Sequence, residues 1–284
     1  MKVLVLGCNG MAGHLISLYF KELGYNVVGF ARSKSRYLDN TILGDACEIS
    51  TIGSIIKEGE YDAVINCLGI LNQFAEENKS TAVLINGYIP HYLTKITQDS
   101  ATRVIHMSTD CVFAGNDGPY FEYTLPNGTS FYDRTKAIGE INTSKDLTFR
   151  NSIVGPDLKE QGIGLFNWFM KQSGTIYGYT GAMWTGVTTI TLAKAMGEAL
   201  NDELAGIYNL VNNESISKFD LLSLFNRYFR NNSINILPNG DLQLDKSLRN
   251  TRGDFSFVVP SYEKQIQDMH DWIKDHASLY PHYK

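Results

Sequence analysis

Tyr132 and Lys136 stand four residues apart in Tyr132-Asp133-Arg134-Thr135-Lys136, the most chemically suggestive pair in the sequence. On a helix that spacing puts both side chains on one face. An ammonium beside a phenol favours the phenolate and lowers its pKa from about 10 toward working pH. A tyrosine tuned in this way can hand a proton to a carbonyl oxygen while hydride reaches the carbon. Ser108-Thr109-Asp110-Cys111-Val112-Phe113-Ala114-Gly115 follows an apolar run ending at Met107, where a hydroxyl can hydrogen-bond the same oxygen. Tyr-x-x-x-Lys alone arises often by chance, so the weight rests on the combination.

A second group is Gly7-Cys8-Asn9-Gly10-Met11-Ala12-Gly13, spaced Gly-x-x-Gly-x-x-Gly. Between a strand and a helix, such a loop lets backbone N–H groups meet a pyrophosphate at the helix's positive end. Gly7 would supply the tight turn, Gly10 the close approach and Gly13 the helix-on-strand packing. The spacing is one residue longer than Gly-x-Gly-x-x-Gly, and a purely structural turn is the alternative. Where an acid that selects NAD would stand, the sequence reads Ala31-Arg32-Ser33-Lys34-Ser35-Arg36. An arginine fork suits a 2′-phosphate, so NADP(H) is the expected cofactor, with NAD(H) and a plain solvated basic loop left open.

These groups need elements to position them. Short apolar strands are expected at Val3–Leu6, Asn26–Phe30, Asp62–Cys67, Val104–Met107 and Thr148–Val154. Helical periodicity covers Met11–Leu23, Lys79–Thr97 and Arg134–Ile141. Alternation of this kind predicts an α/β fold, a Rossmann-type doubly wound parallel sheet with both faces covered. After Gly155-Pro156 the rhythm weakens: helices are expected at Leu165–Lys171, Thr188–Leu200, from Ser217 and at Tyr262–Asp275, with a strand at Gly206–Val211. Asp241–Asp254 reads as a polar stretch carrying Lys246, Arg249 and Arg252. The expected division is a nucleotide-binding domain over residues 1–155, completed by about 185–212. A smaller C-terminal α/β substrate domain would take 156–184 and 213–284.

The chain has 284 residues, 43% of them hydrophobic and 19% charged, which is the globular range rather than that of a disordered or coiled-coil protein. A net charge of −5 leaves no basic footprint for nucleic acid, so acidic ligands must be met by local groups. No apolar run reaches the length of a membrane span, and the N-terminal residues lack the pattern of a signal peptide. Cys8, Cys47, Cys67 and Cys111 have neither Cys-x-x-Cys spacing nor His partners, so no metal site is expected. They read as reduced, buried thiols of a cytoplasmic protein.

Taken together, Gly7/Gly10/Gly13, Asn66-Cys67-Leu68-Gly69, Asn86, Ser108-Thr109 and Tyr132/Lys136 resemble the extended short-chain dehydrogenase/reductase family. Within it, Met107–Gly115 is most similar to the Ser-Thr-Asp-Tyr-Val-Phe-x-Gly segment of dTDP-4-dehydrorhamnose reductases, with Cys111 in place of the Tyr. Phe149-Arg150-Asn151-Ser152 and Trp184–Thr189 also resemble that group, and Asp245-Lys246-Ser247-Leu248 does so imperfectly. The resemblance implies a catalytic set of Thr109, Tyr132 and Lys136. It implies cofactor contacts at Gly7, Asn9, Gly10, Met11 and Gly13, at Arg32, and at Asp45 with Ala46 beside the adenine. Leu68, Gly69 and Asn86 complete that surface, Asn86 supporting the lysine through water; helix and loop capping is the plainer role for Asn86 and Asp45. Asp110, Cys111, Asn151 and Trp184 would face the substrate, although an aromatic residue in such a place is as well explained by core packing. Arg249 and Arg252 would clamp a substrate diphosphate, or else belong to a solvated loop.

Three functions compete. The first is reduction of a nucleotide-linked 4-keto-6-deoxysugar by NADPH. The second is epimerisation of a nucleotide-sugar, or 4,6-dehydration, with the cofactor recycled. Family dehydratases carry Asp-Glu after the Thr; here Asp110-Cys111 stands there, and a thiol replaces poorly a carboxylate that must abstract a proton. Cys111 reads as packing rather than as a nucleophile. The third is a cofactor-bound regulatory protein with a dead site, against which the intact Thr109, Tyr132 and Lys136 argue. The expected partner is a nucleotide-diphospho-sugar, with neither nucleic acid nor membrane, and a homodimer is left open.

Overall fold

The computed structural model describes residues 1–283. Its strands are β1 (Lys2–Leu6), β2 (Asn26–Ala31), β3 (Asn40–Leu43), β4 (Ala63–Asn66), β5 (Arg103–Met107), β6 (Leu147–Arg150), β7 (Ser152–Val154), β8 (Thr175–Trp184), β9 (Gly186–Thr188), β10 (Gly206–Asn209), β11 (Ile216–Ser217) and β12 (Asn235–Asp245). Its α-helices are α1 (Met11–Glu22), α2 (Ile49–Gly59), α3 (Asn72–Glu77), α4 (Lys79–Ala82), α5 (Ile89–Thr97), α6 (Phe131–Ile138), α7 (Leu165–Met170), α8 (Thr189–Asn201), α9 (Lys218–Phe229) and α10 (Tyr262–Asp275).

Seven strands form one all-parallel sheet in the order β10-β6-β5-β4-β1-β2-β3. The two-residue period of a strand explains the double coverage, since β1 sends Val3 and Val5 into one core and Leu4 and Leu6 into the other. This is the Rossmann-type doubly wound fold, and strand order reverses on either side of β1. The crevice beyond the carboxyl ends of β1, β2 and β4 is therefore the place for a ligand.

Two elements from the later chain return to this sheet. β10 pairs with β6 at the edge, and α8 packs against α1. Arg103 fastens them: its guanidinium donates to the carbonyls of Ala199 at 2.9 Å, Leu200 at 3.3 Å and Leu204. The remaining strands form a three-stranded sheet β11-β8-β12 and a pair β7-β9. The single strand expected at Thr148–Val154 is in fact two. The chain leaves the large sheet at Asn151, and β7 pairs with β9 instead. Within the run Lys79–Thr97, residues Val83–Tyr88 form a π-helical turn, a distortion that often marks functional sites.

The thiols correct one expectation: Cys8 is buried, but Cys47 is exposed on the loop after β3. Among the described residues no helix is long and apolar enough to cross a membrane.

Candidate active site

A groove of about 480 Å³ opens at the switch point, lined by the glycine loop, the end of β2 and the segment after β4. The backbone dictates two of the glycines. Gly7 has φ +79°, in the left-handed region, and a Cβ at Gly13 would fall 2.2 Å from the Gly7 carbonyl oxygen. Gly10 caps α1 with no side-chain bond, and the first turn holds no acid. The helix's leading N–H groups are thus left for an anion. Asn9 donates to the Ser33 carbonyl at 2.7 Å and so ties this loop to the basic segment.

Gly7, Asn9, Gly10, Arg32, Asp45, Ala46, Leu68 and Gly69 line the groove, while Met11 and Gly13 lie in the first turn of α1 behind it. Arg32 is exposed and makes no ion pair among the described residues. Asp45 accepts from Cys47 N at 2.9 Å, a bond that holds its carboxyl below the usual range. A cradle without side chains, a bare helix start and a free cation at the end of β2 together fit a dinucleotide with a 2′-phosphate.

Helix α6 begins at Phe131, three residues before the sequence suggests. Ser130 and Asp133 close a capping box there. Tyr132 and Lys136 therefore share its first turns and both are buried. Thr109 starts a short turn over Asp110–Val112, accepting from Cys111 N at 3.1 Å and donating to Asp110 Oδ1 at 3.1 Å. Ile70 joins site to groove, since it lines the groove and packs against the cluster of Ala75, Ala82 and Tyr132.

The expected tuning of Tyr132 by Lys136 is not what the structure shows. Burial pushes the Tyr132 hydroxyl well above its usual pKa, opposed by the hydrogen bond with Thr109. Lys136 turns instead to the carbonyl of Met107 at 2.6 Å. Its own pKa is pushed down to about 8 by burial, with Glu140 opposing. His106 Nε2 lies 3.4 Å from Lys136 Nζ, and His106 Nδ1 is 3.1 Å from Asn66 Nδ2. Asn66 Oδ1 accepts from Leu68 N at 3.2 Å, so the amide nitrogen faces the imidazole. Burial, reinforced by the Lys136 charge, holds His106 neutral.

Asn86, on the π-turn, bonds both backbone groups of Ile70 at 2.9 Å and reaches the Thr135 hydroxyl at 3.1 Å. Its visible work is to hold the segment after β4 against α6.

Of the residues expected to face substrate, Asn151 and Trp184 are almost wholly buried, yet both amide atoms of Asn151 and Trp184 Nε1 have no hydrogen-bond partner among the described residues. Unpaired buried polar groups are costly and rare, so each calls for a reason. Asp110 is buried with its carboxyl pushed up by desolvation, and Cys111 is pushed up to about 12, which keeps it a thiol and no nucleophile. Arg249 is half-buried and close enough to Tyr262 to act on its charge. Arg252 departs from expectation. Its guanidinium bonds the carbonyls of Ala205 at 2.7 Å and Ile207 at 2.9 Å, pairs with Asp254, and sits 5.4 Å over the Tyr208 ring. A side chain so committed braces the sheet edge and is no diphosphate clamp.

Three residues escape a sequence reading. Lys218 Nζ stands 5.1 Å over the Trp184 ring, pushed down to about 8 by burial, with Asp110 and Cys111 opposing. Its signal is position: a lysine directly after the cap Ser217 opposes the helix dipole. His106 is a titratable side chain inside an apolar strand, which is also readable. Glu140 gives no such signal, because only the fold brings it to Arg150.

The switch-point groove and the neighbouring Tyr-x-x-x-Lys helix define an extended short-chain dehydrogenase/reductase. The family described as "RmlD substrate binding domain" matches residues 1–243, and the chain belongs to that family. The probable low-salt glycan biosynthesis reductase Agl14 of Haloferax volcanii is 32% identical over 143 residues, 49% of this chain and 48% of that protein. Methionine adenosyltransferase 2 subunit beta of Xenopus laevis is 26% identical over 49% of this chain and 41% of its own length. These matches span about half the length of the relatives concerned. The dTDP-4-dehydrorhamnose reductase of Escherichia coli is 25% identical over 95% of this chain and 97% of its own. Among solved structures, the dTDP-4-dehydrorhamnose reductase of Bacillus anthracis in complex with NADP superposes with a TM-score of 0.78. It has 20% identity and covers 95% of this chain and 99% of that one.

Proposed function

We propose that this protein is an NADPH-dependent reductase of a nucleotide-linked 4-keto-6-deoxysugar. The observation that carries the reading is Ile70, which lines the groove at the switch point and packs against the buried cluster that contains Tyr132. The full-length likeness to the Escherichia coli reductase supports the same substrate class. In this reading residues 1–155 with about 185–212 hold the cofactor, and 156–184 with 213–284 close over the sugar.

The bound dinucleotide supplies the hydride for the sugar's C4. Tyr132 keeps its proton because it is buried, which suits a donor to a developing alkoxide. Thr109 hydrogen-bonds that oxygen, and Lys136 holds the ribose with its remaining donors. Asp110, Cys111, Asn151, Trp184 and Arg249 line the sugar-nucleotide's side, joined by Lys218, and the buried unpaired donors of Asn151 and Trp184 await its oxygens. Arg32 takes the 2′-phosphate.

The exposed apolar side chains of Val83, Tyr88 and Ile138 lie on adjoining helices, Ile138 packed beside Gly87, and fit a homodimer. Four free cysteines fit a cytoplasmic protein.

Likeness to the methionine adenosyltransferase subunit favours a second reading, a cofactor-bound regulatory subunit, and an epimerase is the third. Adding keto-sugar nucleotides with NADPH separates them. A reductase oxidises one NADPH per sugar, an epimerase none on net, and a regulatory subunit binds the cofactor without turnover.

A further inference from the structure

Behind the glycine loop runs a line of buried hydrogen bonds that the proposed reaction leaves unused. Trp272 Nε1 lies 3.2 Å from the Tyr280 hydroxyl, which lies 2.8 Å from His14 Nε2; His14 Nδ1 lies 3.0 Å from the carbonyl oxygen of Gly10. His14 and Tyr280 are essentially inaccessible, and Trp272 nearly so. The direction of each bond follows from donor chemistry. An indole N–H only donates, so the Tyr280 oxygen accepts and its own proton is free for His14. A carbonyl only accepts, so His14 Nδ1 carries the ring proton and Nε2 is bare. The pieces fit one polarity without conflict: Trp272 to Tyr280 to His14 to Gly10.

We propose that this directed chain positions the glycine loop for the phosphates of the dinucleotide, making Tyr280 a positioning residue of the cofactor site. The inference rests on the cofactor reading above. The Gly10 carbonyl also accepts from His14 N at 2.9 Å, so two donors converge on one oxygen. That carbonyl belongs to the same peptide group as the Met11 N–H, which points the opposite way from the first position of α1. Drawing charge onto the oxygen makes the N–H a stronger donor to an anion. The loop is held at a neighbouring carbonyl as well, since Tyr37 donates to Cys8 O, and the Tyr37 ring meets His14 edge-on. Burial drives His14 down to about 4, so the ring stays neutral and keeps one tautomer through the physiological range. Packing alone would explain the burial, but packing fixes no proton direction and needs no hydroxyl on Tyr280.

The test removes that hydroxyl. In Tyr280→Phe, the dissociation constant of NADPH, measured by fluorescence titration, should rise about threefold to tenfold, the scale of one buried hydrogen bond. Tyr283→Phe is the control: its hydroxyl serves Asn167 and Asp157 N in the same segment but not the loop, so NADPH affinity should stay at the wild-type value. Unchanged affinity in Tyr280→Phe, or an equal loss in both variants, overturns the positioning role. A second measurement stands apart from binding. A long-range proton–nitrogen NMR spectrum of the cofactor-free protein should show His14 protonated at Nδ1, and protonation at Nε2 overturns the chain. Wild-type protein that bound neither NADPH nor NADH would instead sink the cofactor reading, while the NMR result would still decide the hydrogen-bond chain.

Discussion

Glu140 and Arg150 form a two-bond ion pair, each contact 2.7 Å, with both side chains at most 5% exposed. Ser108 donates to the same carboxylate at 2.7 Å, and the Glu140 charge is the largest influence favouring a charged Lys136. Removing one partner of such a pair leaves a buried charge uncompensated. Glu140→Ala should therefore lower unfolding free energy by about 3–5 kcal/mol in denaturant titration. A loss below about 1 kcal/mol would show that water reaches Arg150.

Cofactor choice follows from Arg32. Wild-type protein should have the lower KM for NADPH than for NADH, and Arg32→Ala should narrow that gap by ~1–3 kcal/mol, the size of a charge-assisted hydrogen bond. Steady-state kinetics with both cofactors measure it, and a tenfold wild-type preference for NADH would refute it.

Tyr132→Phe keeps the ring and removes the proton. Substrate binding should survive while kcat drops by about 10²–10⁴-fold, the usual worth of general acid catalysis. Lys136→Met should lose rate and also some NADPH affinity. Full activity in Tyr132→Phe would rule out proton donation by this tyrosine, and the reductase mechanism with it.

Lys218 gives a pH signature. Its folded pKa of about 8 lies below that of an exposed lysine, so the folded protein pays for a buried ammonium below pH 8. As pH rises from 8 toward 10, the folded state sheds that proton before the unfolded state does, and stability gains. Asp110, Cys111 and the Trp184 ring are the groups that face it. Denaturant titrations between pH 7.5 and 9.5 should show Lys218→Met gaining roughly 1–2 kcal/mol less than wild type over that range. Parallel curves for the two proteins would contradict it.

Much of the fold was legible in the residues. β1, β2, β4 and β5 are short runs of Val, Ile and Leu buried on both faces, and the match of α10 to Tyr262–Asp275 follows from strong periodicity and the Ser261 cap. β12 was not legible. It is largely exposed, contains Pro238-Asn239-Gly240, which reads as a turn, and carries a register shift between Asn239 and Gln243. Its parallel pairing with β8 joins residues 60 apart in sequence (Asn235 with Thr175), which no local pattern encodes. Arg252 misled for a related reason. The sequence left Arg249 and Arg252 as either a diphosphate clamp or a solvated loop, whereas a neighbouring carboxylate and two strand-edge carbonyls recruit Arg252. The Tyr-x-x-x-Lys spacing placed two side chains on a face but could not show that Lys136 would bond Met107.

The return of β10 and α8 to the large sheet has a consequence for anyone wishing to excise the cofactor half. A fragment ending at residue 155 would strip the sheet of its last strand and uncover the side of α1 that faces α8. Arg103 would be left with its guanidinium aimed at carbonyls that had departed. The two halves are interleaved in the chain, so insertions, fusions and permutations must leave that seam intact.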